Sequence, residues 1–210
     1  MFYLVGGALR CGKTTLSKKL AAKKGIPWIS SDTLESVVLV SIDEKKRQAL
    51  FPKWAIRQKT KQSNEALYSQ YSTDEIVSAY IQQGKSTWDA LEMFVECEMK
   101  AGHSYVIEGY HVMPELADRL VKRFGKDAIR CVFLGKQDAQ KIAKGFSAYE
   151  TEGSWVKSKS ASEEVYRSIA AMIADFSRYF EEQARDFGFE YREIGLASFQ
   201  KDLDEIVGML

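Results

Sequence analysis

The chain has 210 residues, of which 45% are hydrophobic, and 30 basic against 29 acidic side chains give a formal charge of +1. This length is typical of one domain with a sizeable apolar core. The near-neutral charge argues against a nucleic-acid binder that depends on bulk positive charge. Only three prolines and no low-complexity tract argue against a disordered scaffold.

Five short apolar runs predict buried strands at 2–5, 27–30, 104–107, 129–134 and 189–194. Helical spacing of apolar residues predicts helices at 14–24, 87–100, 114–124, 161–187 and 199–209, with a mostly helical stretch at 33–83. Thr87 is a candidate N-cap. Strands that alternate with helices predict an α/β fold in which a parallel sheet is covered on both faces.

Two connections are longer than a compact domain usually needs, one between the second and third strands and one at 135–160. Long connections of this kind usually carry lids or binding elements. Neither an internal repeat nor a domain linker is visible, so we expect residues 1–210 to form a single domain.

The cysteines and the N-terminal segment predict the cellular compartment of the protein. Cys11, Cys97 and Cys131 are odd in number and widely spaced, which predicts neither a disulfide framework nor a structural metal site. Free thiols are typical of a reducing compartment. The N-terminus lacks the basic region and cleavage site of a signal peptide, and no apolar run approaches the roughly 20 residues of a membrane span. We therefore expect a cytoplasmic protein without a membrane partner.

The first strand leads into a segment that matches G-x-x-x-x-G-K-[ST], the Walker A or P-loop pattern. A strand before it and a helix after it are the context that the motif requires. Backbone amides of such a loop, together with the positive end of the helix dipole, bind a phosphate chain. The expected cofactor-binding residues are Gly7, Ala8, Leu9, Arg10, Cys11, Gly12, Lys13, Thr14 and Thr15.

Three of these residues have individual expected roles. Lys13 can reach the β- and γ-phosphates, Thr14 can ligate Mg²⁺, and Thr15 can support a neighbouring phosphate. The alternative, a coincidental glycine turn with an exposed lysine, is disfavoured by the context. Cys11 lies near a helix N-terminus, where thiol pKa values tend to fall. A redox role for Cys11 is therefore open, although a small filler between two turns is the favoured interpretation.

Acidic residues follow two of the predicted strands. Asp32 comes after the second strand and Glu108 after the third, so both should converge with Lys13 at the carboxyl edge of the sheet. Asp32 suits the orientation or deprotonation of an acceptor hydroxyl, and Glu108 suits the metal or the substrate. The alternatives are a helix N-cap for Asp32 and a locally bonded turn carboxylate for Glu108. His111 invites an acid–base role, but an ordinary loop or core histidine is favoured.

With Gly7–Thr14, Ser31-Asp32 and Val106–His111, the chain resembles the P-loop small-molecule and nucleotide kinases of the adenylate-kinase-like group. Within that group, Val-Ile-Glu-Gly-Tyr-His-Val-Met-Pro at 106–114 is similar to the corresponding segment of 2-phosphoglycerate kinases. The resemblance implies a three-layer P-loop NTPase fold with a five-stranded parallel sheet in the order 2-3-1-4-5. It also implies an acceptor-binding helical insertion at 33–100 and a lid at 136–160.

The same resemblance implies ATP and Mg²⁺ as cofactors. It implies catalytic roles for Lys13, Asp32 and Glu108, with Thr14 and Glu108 near the metal, and it places adenine beside residues 195–198. One feature departs from the group, whose lids usually contribute arginines that neutralise the transferring phosphoryl group. This chain has no arginine between Cys131 and Tyr166. Lysine lacks the bidentate guanidinium, and lysines stand here at 136, 141, 144, 157 and 159.

Other basic side chains could supply the positive charge that the lid lacks, or could bind the acceptor. Arg167 or Arg178 on the long helix could reach inward, and an anionic acceptor could bind Arg47, Lys53 or Arg57 of the insertion. The leading interpretation is an ATP-dependent kinase that acts, as a monomer or homodimer, on a small hydroxyl- or phosphate-bearing metabolite. The alternatives are a nucleotide-binding regulatory or interaction module without phosphoryl transfer, and a kinase whose acceptor is a nucleic acid or an activated sugar. The neutral charge argues mildly against a polynucleotide.

Overall fold

The computed structural model describes residues 1–149, Val156 and 162–210. Strands β1 to β5 are, in chain order, Phe2–Gly7, Trp28–Ser30, Tyr105–Glu108, Ile129–Gly135 and Tyr191–Glu193. They form one parallel sheet in the order β2-β3-β1-β4-β5. The predicted fold class and strand order are therefore confirmed.

Helices α1 to α7 are Lys13–Lys24, Ser31–Ser41, Glu44–Leu50, Pro52–Lys59, Asn64–Gln70, Thr73–Lys85 and Trp88–Lys100. Helices α8 to α11 are Pro114–Phe124, Ala139–Tyr149, Glu163–Phe187 and Phe199–Met209. Helix α1 packs against β1, β3 and α11, whereas the long α10 packs against β4, α8, α9 and α6. Within the described ranges, no helix combines the length and the apolarity that a bilayer crossing requires.

The sheet forms as predicted because its central strand, β1, is an apolar run that is buried on both faces. All six of its residues are buried, because β3 and β4 flank it and helices cover both faces. Its apolar sequence ends in Gly6 and Gly7, and a Cβ on Gly6 would overlap the carbonyl of Val112 and the ring of Phe133. The chain must therefore have glycine where β1 passes into the next segment.

The long connection between β2 and β3 is almost wholly helical and lies entirely within the described residues. It consists of α2 to α7, and α6 packs against both α4 and α10. Thr87 occupies the N-cap position of α7, as expected, but it has helical dihedral angles and its side chain makes no cap hydrogen bond. Its hydroxyl donates instead to the Gln83 carbonyl at 3.4 Å, because α6 runs almost directly into α7.

Candidate active site

The P-loop is a tight turn that joins β1 to α1. Gly7, Arg10 and Gly12 have φ angles of +135°, +62° and +88°, in the region that favours glycine. A Cβ on Gly7 would overlap the backbone of Leu134 in β4, so this position requires glycine. Arg10 adopts the left-handed conformation with a full side chain, which costs about 1 kcal/mol or more.

Lys13, Thr14 and Glu108 lie together at the start of α1. The Lys13 Nζ donates to the Ala8 carbonyl at 2.6 Å, and the Thr14 hydroxyl donates to Glu108 Oε1 at 3.0 Å. Glu108 is the last residue of β3 and is buried. Burial raises the pKa of the Glu108 carboxyl, and the nearby Lys13 ammonium and Thr14 hydroxyl only partly offset this effect. The structure thus brings together three of the predicted site residues.

This arrangement fits a triphosphate with a divalent cation. Gly7 and Gly12 carry no side chain at the two ends of the loop, and a Cβ on Gly12 would crowd the ring of Phe199. A buried carboxylate next to a threonine hydroxyl offers the hard oxygen ligands that Mg²⁺ prefers. Thr14 and Glu108 are therefore the residues that would hold the metal.

A cavity of about 530 Å³ extends from the P-loop towards α9 and α11. Its polar end is formed by the start of α1, and its other end is apolar. Leu196, from the segment expected to border adenine, lies in its wall and approaches Gly145. The lining residues are Arg10, Gly12, Lys13, Thr14, Thr15, Lys136, Ile142, Gly145, Phe146, Leu196 and Phe199.

A second cavity of about 290 Å³ opens on the opposite side of the P-loop. It shares Arg10, Lys13 and Thr14 with the first cavity, so the two meet at the P-loop. Its wall is mostly polar and is formed by Leu9, Arg10, Lys13, Thr14, Asp32, Lys53, Tyr80, Glu108, Gly109 and Tyr110. The helices between β2 and β3 contribute Asp32, Lys53 and Tyr80 to this wall.

Asp32 lies in the first turn of α2, with 66% of its side chain exposed. The N-cap of that helix is Ser30, whose side chain accepts the Asp32 N–H at 3.3 Å. The N-cap alternative for Asp32 is therefore wrong. Its carboxylate belongs to the wall of the second cavity, where a bound hydroxyl compound could reach it.

Beneath the second cavity lies a buried network centred on Glu35. The Glu35 carboxylate accepts hydrogen bonds from the Tyr110 hydroxyl at 3.1 Å, from Lys53 Nζ at 3.3 Å and from the Gln83 amide. Lys53 Nζ also donates to the Tyr110 hydroxyl at 2.8 Å and lies 4.7 Å from that ring's centroid. The network fixes the Lys53 ammonium at the floor of the cavity. Sequence reasoning missed Glu35 and Gln83.

His111 lies beside this network and is fully buried. Its Nδ1 lies 2.7 Å from Ser31 Oγ and 3.8 Å from Asp32 Oδ1, and its Nε2 lies 3.4 Å from Glu35 Oε2. Opposite ring nitrogens therefore face the two carboxylates. The pairing of Glu35 with the Lys53 ammonium disfavours a cation at this cluster, because the ammonium already compensates the carboxylate charge. His111 is a core histidine, as favoured, but one that links the two acidic residues of α2.

The remaining basic candidates differ in where they lie. Arg47 donates to the carbonyls of Leu39 and Ile42, and Arg57 donates to Asn64, so neither belongs to the wall of the second cavity. Arg167 and Arg178 are exposed, and they pair with Glu163 and Asp175 on their own helix. Lys136 lines the first cavity, whereas Lys141 and Lys144 are exposed. A lid was expected at 136–160. The part of it that follows α9 lies outside the described residues, apart from Val156, and this part includes Lys157 and Lys159.

The Cys11 thiol is fully buried, and its Sγ donates to the Leu9 carbonyl at 3.4 Å. Burial raises the pKa of this thiol, and the nearby Lys13 and Lys136 do not compensate. The expectation of a low thiol pKa near the helix N-terminus is therefore wrong. The structure favours the small-filler interpretation of Cys11.

No protein-family model and no curated protein sequence matches the chain. Among solved structures, a sugar kinase from Janibacter sp. HTCC2649 superposes with a TM-score of 0.55 at 13% identity, over 99% of this chain and 92% of the other. A shikimate kinase from Bacteroides thetaiotaomicron has a TM-score of 0.49 at 12% identity, over 100% and 97% of the two chains. At such identities the likeness concerns the fold alone. The chain has the fold of P-loop small-molecule kinases.

Proposed function

We propose that this chain is an ATP-dependent phosphotransferase that moves the γ-phosphate to a hydroxyl group of a small anionic metabolite. The observation that carries the proposal is the meeting of two cavities at Lys13 and Thr14. The first cavity suits a nucleotide, and the second carries the exposed carboxylate of Asp32. A donor in one cavity and an acceptor in the other would face each other across the P-loop.

The residues at the P-loop hold the donor. The loop amides and the N-terminus of α1 bind the phosphate chain, and Lys13 exchanges its bond with the Ala8 carbonyl for phosphate oxygens. Thr14 and Glu108 would hold the cation. When bound, Mg²⁺ neutralises charge on the β- and γ-phosphate oxygens. Helix α9 excludes water from this cavity through Ile142 and Phe146, and we propose that residues 136–160 act as a lid.

Asp32 and Lys53 act on the acceptor. Asp32 orients the attacking hydroxyl and takes its proton, which is the role of a carboxylate in phosphoryl transfer. Lys53, held in place by Glu35 and Tyr110, attracts an anionic group of the acceptor. The resemblance of residues 106–114 to 2-phosphoglycerate kinases makes phosphorylated hydroxy acids the first compounds to test. Sugars and nucleosides form the rest of the panel.

The test is ADP release from Mg²⁺-ATP across a metabolite panel, measured for wild-type protein and two variants. Lys13→Ala should lose both triphosphate affinity and transfer. Asp32→Asn should keep ATP affinity and lose about 100-fold or more in kcat. Asp74→Asn is a matched control, because Asp74 is also the second residue of a helix capped by serine and lies outside both cavity walls.

Two outcomes contradict parts of the proposal. If no acceptor raises ADP release above the background hydrolysis of ATP, the phosphotransferase assignment fails. Tight ATP binding in that case would favour the regulatory or interaction module. If Asp32→Asn keeps the activity of the Asp74→Asn control, Asp32 has no role in activating the acceptor hydroxyl.

A further inference from the structure

The segment that we propose as a lid, residues 136–160, contains no arginine. Charge builds on the transferring phosphoryl group, and an arginine that stabilises it is typically worth a factor of about 10³–10⁵ in rate. The sequence has no arginine between Cys131 and Tyr166, and Arg167 and Arg178 are tied to acidic partners on their own exposed helix face. Another residue must supply the planar guanidinium if the chain uses one.

Arg10 occupies the position that this role requires. Of the arginines in the described ranges, it alone lines both the first cavity, called here the nucleotide cavity, and the second, called here the acceptor cavity. It shares this double placement with Lys13 and Thr14 of the same loop. A group that passes from one cavity to the other therefore passes beside Arg10.

The backbone of Arg10 gives an independent reason to assign it a function. Its φ of +62° lies in the left-handed region, where a residue with a Cβ is strained and glycine is not. Its side chain is exposed rather than packed in the apolar core. Core packing therefore does not offset the strain of this backbone conformation. Non-glycine residues held in such conformations concentrate at functional sites.

We propose that Arg10 stabilises the transferring phosphoryl group, and that it replaces from the P-loop the arginine that a lid would otherwise supply. This proposal rests on the proposed phosphotransferase function. In the transfer, the bond between the γ-phosphorus and the β,γ-bridging oxygen breaks, and its electron pair stays with ADP. A new bond forms between phosphorus and the acceptor oxygen, whose proton goes to Asp32. Arg10 remains protonated and donates two N–H groups to the equatorial phosphoryl oxygens.

The test compares Arg10→Gly and Arg10→Lys with wild-type protein. Arg10→Gly relieves the backbone strain, so its melting temperature should not fall, while kcat should fall at least 100-fold. Arg10→Lys keeps the positive charge but lacks the two parallel N–H donors of the guanidinium, and should lose about 10-fold or more in kcat. Lys61→Gly is the matched control, because Lys61 is an exposed cation with a φ of +50° that lies outside both cavity walls. It should keep the wild-type kcat.

A binding measurement separates this role from ground-state phosphate binding. The affinities for Mg²⁺-ADP alone, and for Mg²⁺-ADP with fluoroaluminate and the active acceptor, are measured by calorimetry. Arg10→Gly should change the first less than about threefold and weaken the second at least 100-fold. Equal loss in both states would overturn the assignment, as would wild-type kcat in Arg10→Gly. A wild-type protein that transfers phosphate to no acceptor would instead overturn the proposed function, and the role of Arg10 with it.

Discussion

Replacing Glu35 with glutamine tests whether a buried ion pair supports the floor of the acceptor cavity. Glutamine has the same shape but no charge, so the Lys53 ammonium, only 20% exposed, loses its counter-charge at 3.3 Å. Removal of one partner from a buried pair typically costs about 3–5 kcal/mol. Lys53 keeps its hydrogen bond to the Tyr110 hydroxyl and its partial contact with solvent. We therefore expect a loss of about 3 kcal/mol in unfolding free energy. For a chain of this length, that loss lowers the melting temperature by about 6–12 °C.

The pH dependence of this loss follows from the pKa of Glu35. Burial acts to raise the pKa, but the His111 hydrogen bond, the Lys53 ammonium and the Tyr110 hydroxyl together hold it below its ordinary value of 4.5. The stabilisation is therefore fully present above pH 4.5 and is lost as the pH falls through the lower folded-state value. The difference between wild type and Glu35→Gln should therefore shrink as the pH falls below 4.5.

Urea denaturation followed by circular dichroism measures these differences. The double variant Glu35→Gln/Lys53→Met leaves no unpaired charge, so it should be more stable than the sum of the single losses by about 1–2 kcal/mol. Glu205→Gln is the surface control, since Glu205 is 62% exposed, and should change the stability by less than about 0.5 kcal/mol. A loss below about 1 kcal/mol in Glu35→Gln, or additivity within about 0.5 kcal/mol, would refute the ion-pair reasoning.

Gly7→Ala should destabilise the fold by more than about 3 kcal/mol and abolish nucleotide binding, because its Cβ meets the backbone of Leu134. Gly25→Ala, with a φ of +66° but open space around it, should cost about 1 kcal/mol; equal melting temperatures for the two variants would contradict the steric argument. Burial raises the pKa of the Cys131 thiol to about 12, so iodoacetamide at pH 8 should label exposed Cys97 and leave Cys131 unmodified in the native protein. Equal labelling by mass spectrometry would show that Cys131 is not shielded.

The sheet could be predicted because its strands are short apolar runs buried on both faces, and β1 is the clearest case. The limits of β5 could not be predicted from the same pattern. Phe189 looks like the start of that strand, but its N–H donates to the Ala184 carbonyl across the Gly188 cap of α10. Its backbone therefore belongs to the end of the helix, and β5 begins only at Tyr191. Helix capping decides this boundary, and an apolar pattern does not record it.

The candidate site was predictable to the extent that it follows from the carboxyl edge of the sheet. Lys13, Thr14 and Glu108 meet there because adjacent parallel strands end there. The network of Glu35, Lys53 and Gln83 depends on how α2, α4 and α6 pack, which no local pattern specifies. One signal was present, since Glu35 lies three residues after Asp32 and so occupies the same side of α2.

The destination of the γ-phosphate is the most direct test of the central claim. ATP labelled at the γ-phosphorus is incubated with Mg²⁺, the wild-type protein and each acceptor of the panel, and the products are separated and identified by mass spectrometry. The account predicts a labelled phosphoester of one acceptor, formed in equal amount to ADP and absent with Lys13→Ala. Label found only in inorganic phosphate, or ADP formed without any phosphorylated acceptor, would contradict it.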